Sequence, residues 1–103
     1  MPPDFMVLDV QDRRDHTALA VTGELDLAGG ALFADAIGLG PLRASVVIEL
    51  AGVTFVDVAG ARALEGAVAD LRRHGRRVTI GSMNEGVRRR LALAGAGGLL
   101  EAR

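Results

Sequence analysis

Between Ser45 and Leu50 the chain reads Ser-Val-Val-Ile-Glu-Leu, apolar and largely β-branched. A strand with one solvated face alternates polar and apolar residues, and this run does not. It predicts the central strand of a sheet covered on both faces, the usual habit of parallel α/β sheets. Such a sheet needs helices to cover it. Gly60, Ala63, Leu64, Ala67, Val68 and Leu71 recur at i, i+3, i+4, i+7, i+8 and i+11, which is one face of a helix. Arg62, Glu65, Asp70, Arg72 and Arg73 fall off that face, and Gly75 is placed to stop the helix.

The remaining segments alternate in the same way. Val7 to Val10 reads as a short strand, Asp12 to Asp15 as a polar turn, and His16 to Thr22 as a second strand broken by Gly23. Asp26 is placed to cap a helix over Leu27 to Ile37, with Gly38 and Gly40 ending it. After the central strand, a turn at Ala51-Gly52 leads to Val53 to Val56, and Asp57 stands at the start of the strongest helix. Val78 to Ile80 is the next strand. Ser82 or Asn84 caps a third helix carrying Val87, Leu91 and Ala94, Gly95 to Gly98 ends it, and Leu99-Leu100 reads as a last short edge strand. The order β β α β α β α (β) predicts one α/β domain over residues 1–103, with its core at about 5–100. Its sheet is mixed, mostly parallel and four- to five-stranded, with three main helices packed on it.

A chain of 103 residues suits one domain. There is no Cys, so disulfides, thiolate metal sites and thiol nucleophiles are excluded together. Every basic residue is Arg, which leaves no lysine for a Schiff base or a phosphate cradle. No apolar run approaches the ~18–20 residues that span a bilayer, and Met1-Pro2-Pro3-Asp4 does not open a secretory signal. A cytoplasmic protein with no direct membrane insertion is expected. The net charge of −1 conceals an asymmetry: residues 1–57 hold 9 acids and 3 arginines, residues 58–103 hold 9 arginines and 4 acids. Such a chain can orient a charged partner, or its two oppositely charged faces can simply keep the protein in solution.

Catalytic groups are scarce. The two histidines, His16 and His74, open a strand and close a helix, which leaves a metal site short of ligands. Asp57 follows an apolar strand, which invites comparison with aspartyl phosphoacceptors. A haloacid-dehalogenase-like site needs a second aspartate at position 59, which is Ala, and a receiver domain needs a lysine, which is absent. Gly95, Gly97 and Gly98 follow a helix, so they end it; a phosphate cradle precedes one. Arg88-Arg89-Arg90 points three ways around a helix and has no interleaved aromatics, so nucleic acid is not an expected partner. No catalytic residue, metal or cofactor is expected, and binding remains as the function.

Two segments carry the strongest signal. In Val21-Thr22-Gly23-Glu24-Leu25-Asp26 a strand ends in a Gly-Glu-Leu-Asp turn before a helix. The second segment runs from Val46 through Glu49-Leu50-Ala51-Gly52-Val53-Thr54-Phe55-Val56-Asp57 to Val58-Ala59-Gly60. With Gly81-Ser82 after the next strand, and Val87, Arg88, Leu91 and Gly95 in the last helix, they resemble the STAS domain over about Val7 to Leu100. That family includes anti-sigma factor antagonists and the cytoplasmic domains of sulphate transporters. In bacterial members the loop reads Asp-Ser-Ser/Thr-Gly, and its first hydroxyl is phosphorylated by a partner that is both anti-sigma factor and serine kinase. Nearly two added negative charges at a helix start oppose a partner that had accommodated a neutral loop.

This chain departs from the pattern at the acceptor. Val58 and Ala59 stand where the hydroxyls belong, and Glu49 replaces a common Asp, while Asp57 and Gly60 remain. The resemblance therefore implies a protein-interaction module that binds an anti-sigma factor/kinase and stays unphosphorylated at position 58; phosphate on Thr54 or Ser82 would contradict a lost switch. Its expected surface is the Asp26 turn, the loop Asp57, Val58, Ala59 and Gly60, and the helix residues Arg62 and Glu65. Asp57 reads either as a helix cap or as a partner contact, and Arg62 as solvated or in contact. The alternative is a STAS subunit of a larger assembly such as a lipid-transporting ABC system. Nucleotide binding is a third reading, disfavoured by the missing lysine. A weak homodimer through the edge of the N-terminal strand is compatible with residues 5–11 and not required by them.

Overall fold

A computed structural model describes residues 5–38 and 41–101. The elements are β1(Val7–Asp12), β2(Thr17–Leu25), α1(Leu27–Ile37), β3(Ser45–Val56), α2(Val58–Arg73), β4(Arg77–Ile80) and α3(Glu85–Leu93), followed by a 3-10 helix at Gly97–Glu101. The four strands form one sheet in the order β1-β2-β3-β4. The first pair is an antiparallel hairpin, and the other two pairs are parallel. The mixed, mostly parallel sheet expected from the sequence is therefore present, with four strands among the described residues.

The register sets Val10 beside Leu19, Leu19 beside Ile48, and Ile48 beside Ile80. Residues paired in this way share a face of the sheet. On that face Leu19, Val21, Val46, Ile48, Leu50, Val78 and Ile80 are buried in one apolar cluster with Phe33 of α1, Leu64 and Val68 of α2, and Val87 and Leu91 of α3. Both parallel crossovers run in the same direction across the sheet. Right-handed crossovers must then put α1 and α2 on the same side. Among the described residues, no helix covers the other face. Ala18 is buried there but stands outside the cluster, and Ala20, Val47, Glu49 and Thr79 are half-buried. β3 is central but covered on one face only, which corrects the two-sided expectation. Val47 loses exposure sideways, to Ala18 and Thr79, its register partners.

Three local expectations also change. β3 runs through Ala51-Gly52 without a turn, because parallel pairing with β2 continues to Val56. Gly23 does not end β2: it adopts φ 87° and the strand continues to Leu25, with register shifts on either side of that residue. Leu99-Leu100 belongs to the 3-10 helix and not to an edge strand. Gly95 at φ 81° turns the chain, the Ala96 N–H donates to Leu91 O at 2.8 Å, and Ala96 and Leu99 enter the core before the segment can reach a strand edge. The α1 limits agree with the expectation, and Gly38 caps that helix; Gly40 lies outside the described residues.

β4 pairs only with Ser45 to Ile48, so the later half of β3 projects beyond it. α3 occupies the space alongside. Asn84, the cap of α3, accepts from the Val87 N–H at 2.8 Å and donates to Val53 O at 3.0 Å. On α2 the inward face includes Ala61, fully buried, while Ala63 is half-buried against α1. A Cβ on Gly30 would come within 2.5 Å of the Ala63 Cβ, so the two helices meet through glycine.

The tightest approach is at Gly60, where an added Cβ would lie 1.7 Å from Leu25 O. No side-chain rotation relieves a clash with backbone. Gly60→Ala is expected to cost about 3 kcal/mol in urea unfolding. Gly66, exposed in the middle of α2 with nothing within 4 Å of an added Cβ, is the control. Gly66→Ala should stabilise by up to about 1 kcal/mol through helix propensity.

Candidate functional site

The chain uses one turn twice. Asp26-Leu27-Ala28-Gly29 opens α1 and Asp57-Val58-Ala59-Gly60 opens α2. In both, an extended aspartate caps the helix: Asp26 Oδ1 accepts from the Gly29 N–H at 2.8 Å, and Asp57 Oδ1 from the Gly60 N–H at 2.7 Å. The Asp57 N–H donates to Leu25 O at 3.3 Å, which ties the two turns together at the C-terminal ends of β2 and β3.

Each turn exposes the residue after its cap. Leu27 is 73% exposed and Val58 58%. α3 adds Leu93, 81% exposed, across a cavity of about 280 Å3 lined by Phe55, Val56, Asp57, Val58, Arg90, Leu93 and Ala94. The Arg90 guanidinium stacks on the Phe55 ring, 4.6 Å from its centre. Leaving Val58 and Leu93 so exposed around one cavity is unfavourable for an isolated domain and favourable at a contact surface.

The residues singled out in the sequence fall on this side of the fold, with different surroundings. Asp26 and Asp57 are half-buried, and the Oδ1 of each is engaged by its cap; Ala59 is half-buried and Gly60 is buried. Arg62 is exposed on α2, 3.9 Å from the half-buried Glu65. Thr54 and Ser82 are both exposed. Leu27 and Leu93 were not singled out from the sequence; Phe55 was read only within the STAS-like segment, and Arg90 only within the arginine run, as a solvated or partner-facing helix surface. The repeated Asp-x-Ala-Gly turn was a usable signal for Leu27. Nothing local announced Leu93 and Arg90, which reach the loop only through the placement of α3. Among the described residues, no three His, Asp or Glu side chains come together as metal ligands. What the arrangement offers chemically is a cavity with the exposed apolar side chains Val58 and Leu93 at it, flanked by the Arg90 guanidinium and the Asp57 carboxylate.

The family model described as Mlab, STAS domain matches residues 8–101. The chain belongs to the STAS family. Among solved structures, this STAS domain is similar to an anti-sigma factor antagonist from Mycobacterium paratuberculosis, at 24% identity and a TM-score of 0.74, over 91% of this chain and 81% of that one. It is similar also to an antisigma-factor antagonist STAS domain from Rhodobacter sphaeroides, at 26% identity and a TM-score of 0.66, over 74% of this chain and 85% of the other. A third similar structure is the STAS domain of a SulP transporter from Vibrio cholerae, at 23% identity and a TM-score of 0.58, over 86% and 70% of the two chains. A comparison with curated protein sequences gives no match. Within the described residues no helix is long and apolar enough to cross a membrane.

The two readings of Asp57 are separable. Asp57→Ala removes the cap and is expected to cost about 1 kcal/mol of stability, whereas Asp57→Asn keeps the accepting oxygen and should cost a few tenths. If Asp57 also touches a partner, the Asn variant will fold normally and still bind more weakly. Denaturation and titration of the same two variants measure both.

Proposed function

We propose that this STAS domain is a non-enzymatic, cytoplasmic interaction module, an antagonist-type protein that binds an anti-sigma factor/kinase through the face around Asp57 and stays competent to bind because position 58 takes no phosphate. The observation that carries this reading is the exposed Val58 on an intact Asp57–Gly60 turn. The helix start keeps its shape while its outward side chain is apolar, which resembles the neutral state of a phosphate-controlled loop more than the charged one. The resemblance to two anti-sigma factor antagonists supports the class of partner. Arg62, Glu65 and the Asp26 turn border the same face.

The test is a calorimetric titration of the native protein, Val58→Ser and Val58→Asp against purified anti-sigma kinases from the same organism. Aspartate in the first turn of a helix suits the macrodipole, so the Asp variant should fold. Binding by the native and Ser forms with a loss of about 100-fold in the Asp form is expected, the size of effect an unpaired charge at an interface produces. Phosphate incorporated on Thr54 or Ser82 by such a kinase would remove the claim of permanent competence.

A second reading is a STAS subunit of a transport assembly, such as a lipid-transporting ABC system. It is favoured by the match to the family model described as Mlab, STAS domain and by the likeness to a transporter's STAS domain. Absence of binding by all three forms would move this reading to first place.

A further inference from the structure

The end of the sheet opposite Asp57 is built differently. There the β1–β2 turn, the segment before β3 and the α2–β4 turn come together: the Arg77 N–H donates to Ala44 O at 2.8 Å, and the Arg43 N–H to Thr17 Oγ1 at 2.8 Å. Segments 12–16, 42–44 and 70–77 hold seven of the twelve arginines against three aspartates. The aspartates are engaged locally. Asp12 pairs with Arg43 at 2.7 Å, Asp70 pairs with Arg73, and Asp15 lies 2.8 Å from His16, whose hydrogen bond holds that carboxyl below its ordinary range.

Arg76 and Arg72 are held another way. Arg76 Nη1 donates to Leu42 O and, at 2.9 Å, to Arg43 O, and Arg72 Nη2 donates to Val78 O at 3.3 Å. A carbonyl orients a guanidinium without cancelling its charge, which leaves it fixed and available to a carboxylate. Beside Arg76 a groove of about 260 Å3 opens between the C-terminal turns of α1 and α2. Ala34, Ile37, Leu42 and Leu71 make its apolar floor, and Asp70, His74 and Arg76 stand at its rim, the Asp70 carboxylate being paired with Arg73.

We propose that this groove is a second docking site, occupied by a segment of a partner protein that lays an apolar side chain on the floor and sets a carboxylate against Arg76. The charge of this end selects an acidic partner, and the concave apolar floor selects a peptide segment with an anchor residue. A lipid surface is flat and would need protruding apolar side chains, and none of the large exposed ones among the described residues lines this groove. A single-stranded nucleic acid would need aromatic platforms, and no phenylalanine lines it either. The site is separated from the Asp57 loop by the length of α2, roughly 24 Å at 1.5 Å per residue. The domain can therefore hold two partners at once.

The experiment is an NMR titration of the full isotope-labelled chain with a synthetic helical peptide of alternating leucine and glutamate faces. Saturable amide shifts centred on Ile37, Leu42, His74 and Arg76, with the Asp57–Gly60 turn unmoved, are expected. Arg76→Gln should weaken binding about tenfold. Because Arg76 also braces the segment before β3, Ala34→Glu serves as a second variant: Ala34 is exposed on α1, so the fold survives while the new charge repels the peptide. Equal binding of polyglutamate, which has no anchor, would overturn the proposal. So would binding of anionic phospholipid vesicles or single-stranded DNA at the same residues, or shifts appearing on dilution of the free protein, the mark of head-to-tail association. Saturation elsewhere, or none, would do the same.

Discussion

Contact between the first turn of α2 and the last residues of β2 fixes more of this molecule than any other interaction. Gly60 lies so close to Leu25 O that only a hydrogen fits between them, and the adjacent Asp57 N–H donates to the same carbonyl oxygen. Through it the ends of β2 and β3 are drawn level, and the starts of α1 and α2 come side by side. Gly30 against Ala63 continues the approach one turn further along. Helices this close leave little room between them for large side chains. The bulk of the core is then supplied from below by valine, leucine and isoleucine on the sheet. That accounts for a buried interior in which Phe33 is the only fully buried aromatic.

The fold was legible wherever one segment carried its own signal. Asp26 with Gly38 marked both ends of α1, and the spacing from Gly60 to Leu71 marked α2. The misreadings came from residues whose meaning is set by a neighbour. Ala51-Gly52 is turn-like in isolation, yet Thr22 lies alongside Gly52 and the β2 ladder carries the strand through it. Gly23 looked like a terminator, but its positive φ serves an irregularity inside a continuing strand. The Ser45–Leu50 run suggested two covered faces because a strand between two neighbours is shielded sideways as well as from above.

The candidate site divides in the same way. Its loop could be read directly, since Asp57 and Gly60 keep a turn geometry that Val58 and Ala59 do not disturb. Its surroundings could not. Val58 and Leu93 lie in separate helices, and their meeting at one cavity depends on β3 outrunning β4. An apolar residue is ordinary in a sequence that is half apolar; two exposed at one cavity are informative only in three dimensions. The arginines at the opposite end were visible as a charge imbalance, but the carbonyls that hold Arg72 and Arg76 were not.

Those carbonyl-held guanidiniums have a consequence for how the protein can be regulated. Cells commonly silence a basic surface by acetylating lysine, which deletes its charge. An arginine keeps its charge across the whole physiological pH range and offers no amine to acylate. With four arginines and no lysine in segment 70–77, the positive charge at this end of the domain is beyond the reach of acetylation. Lysine acylation therefore cannot switch this end off, whereas competition by a stronger acidic ligand or a shielding neighbour can.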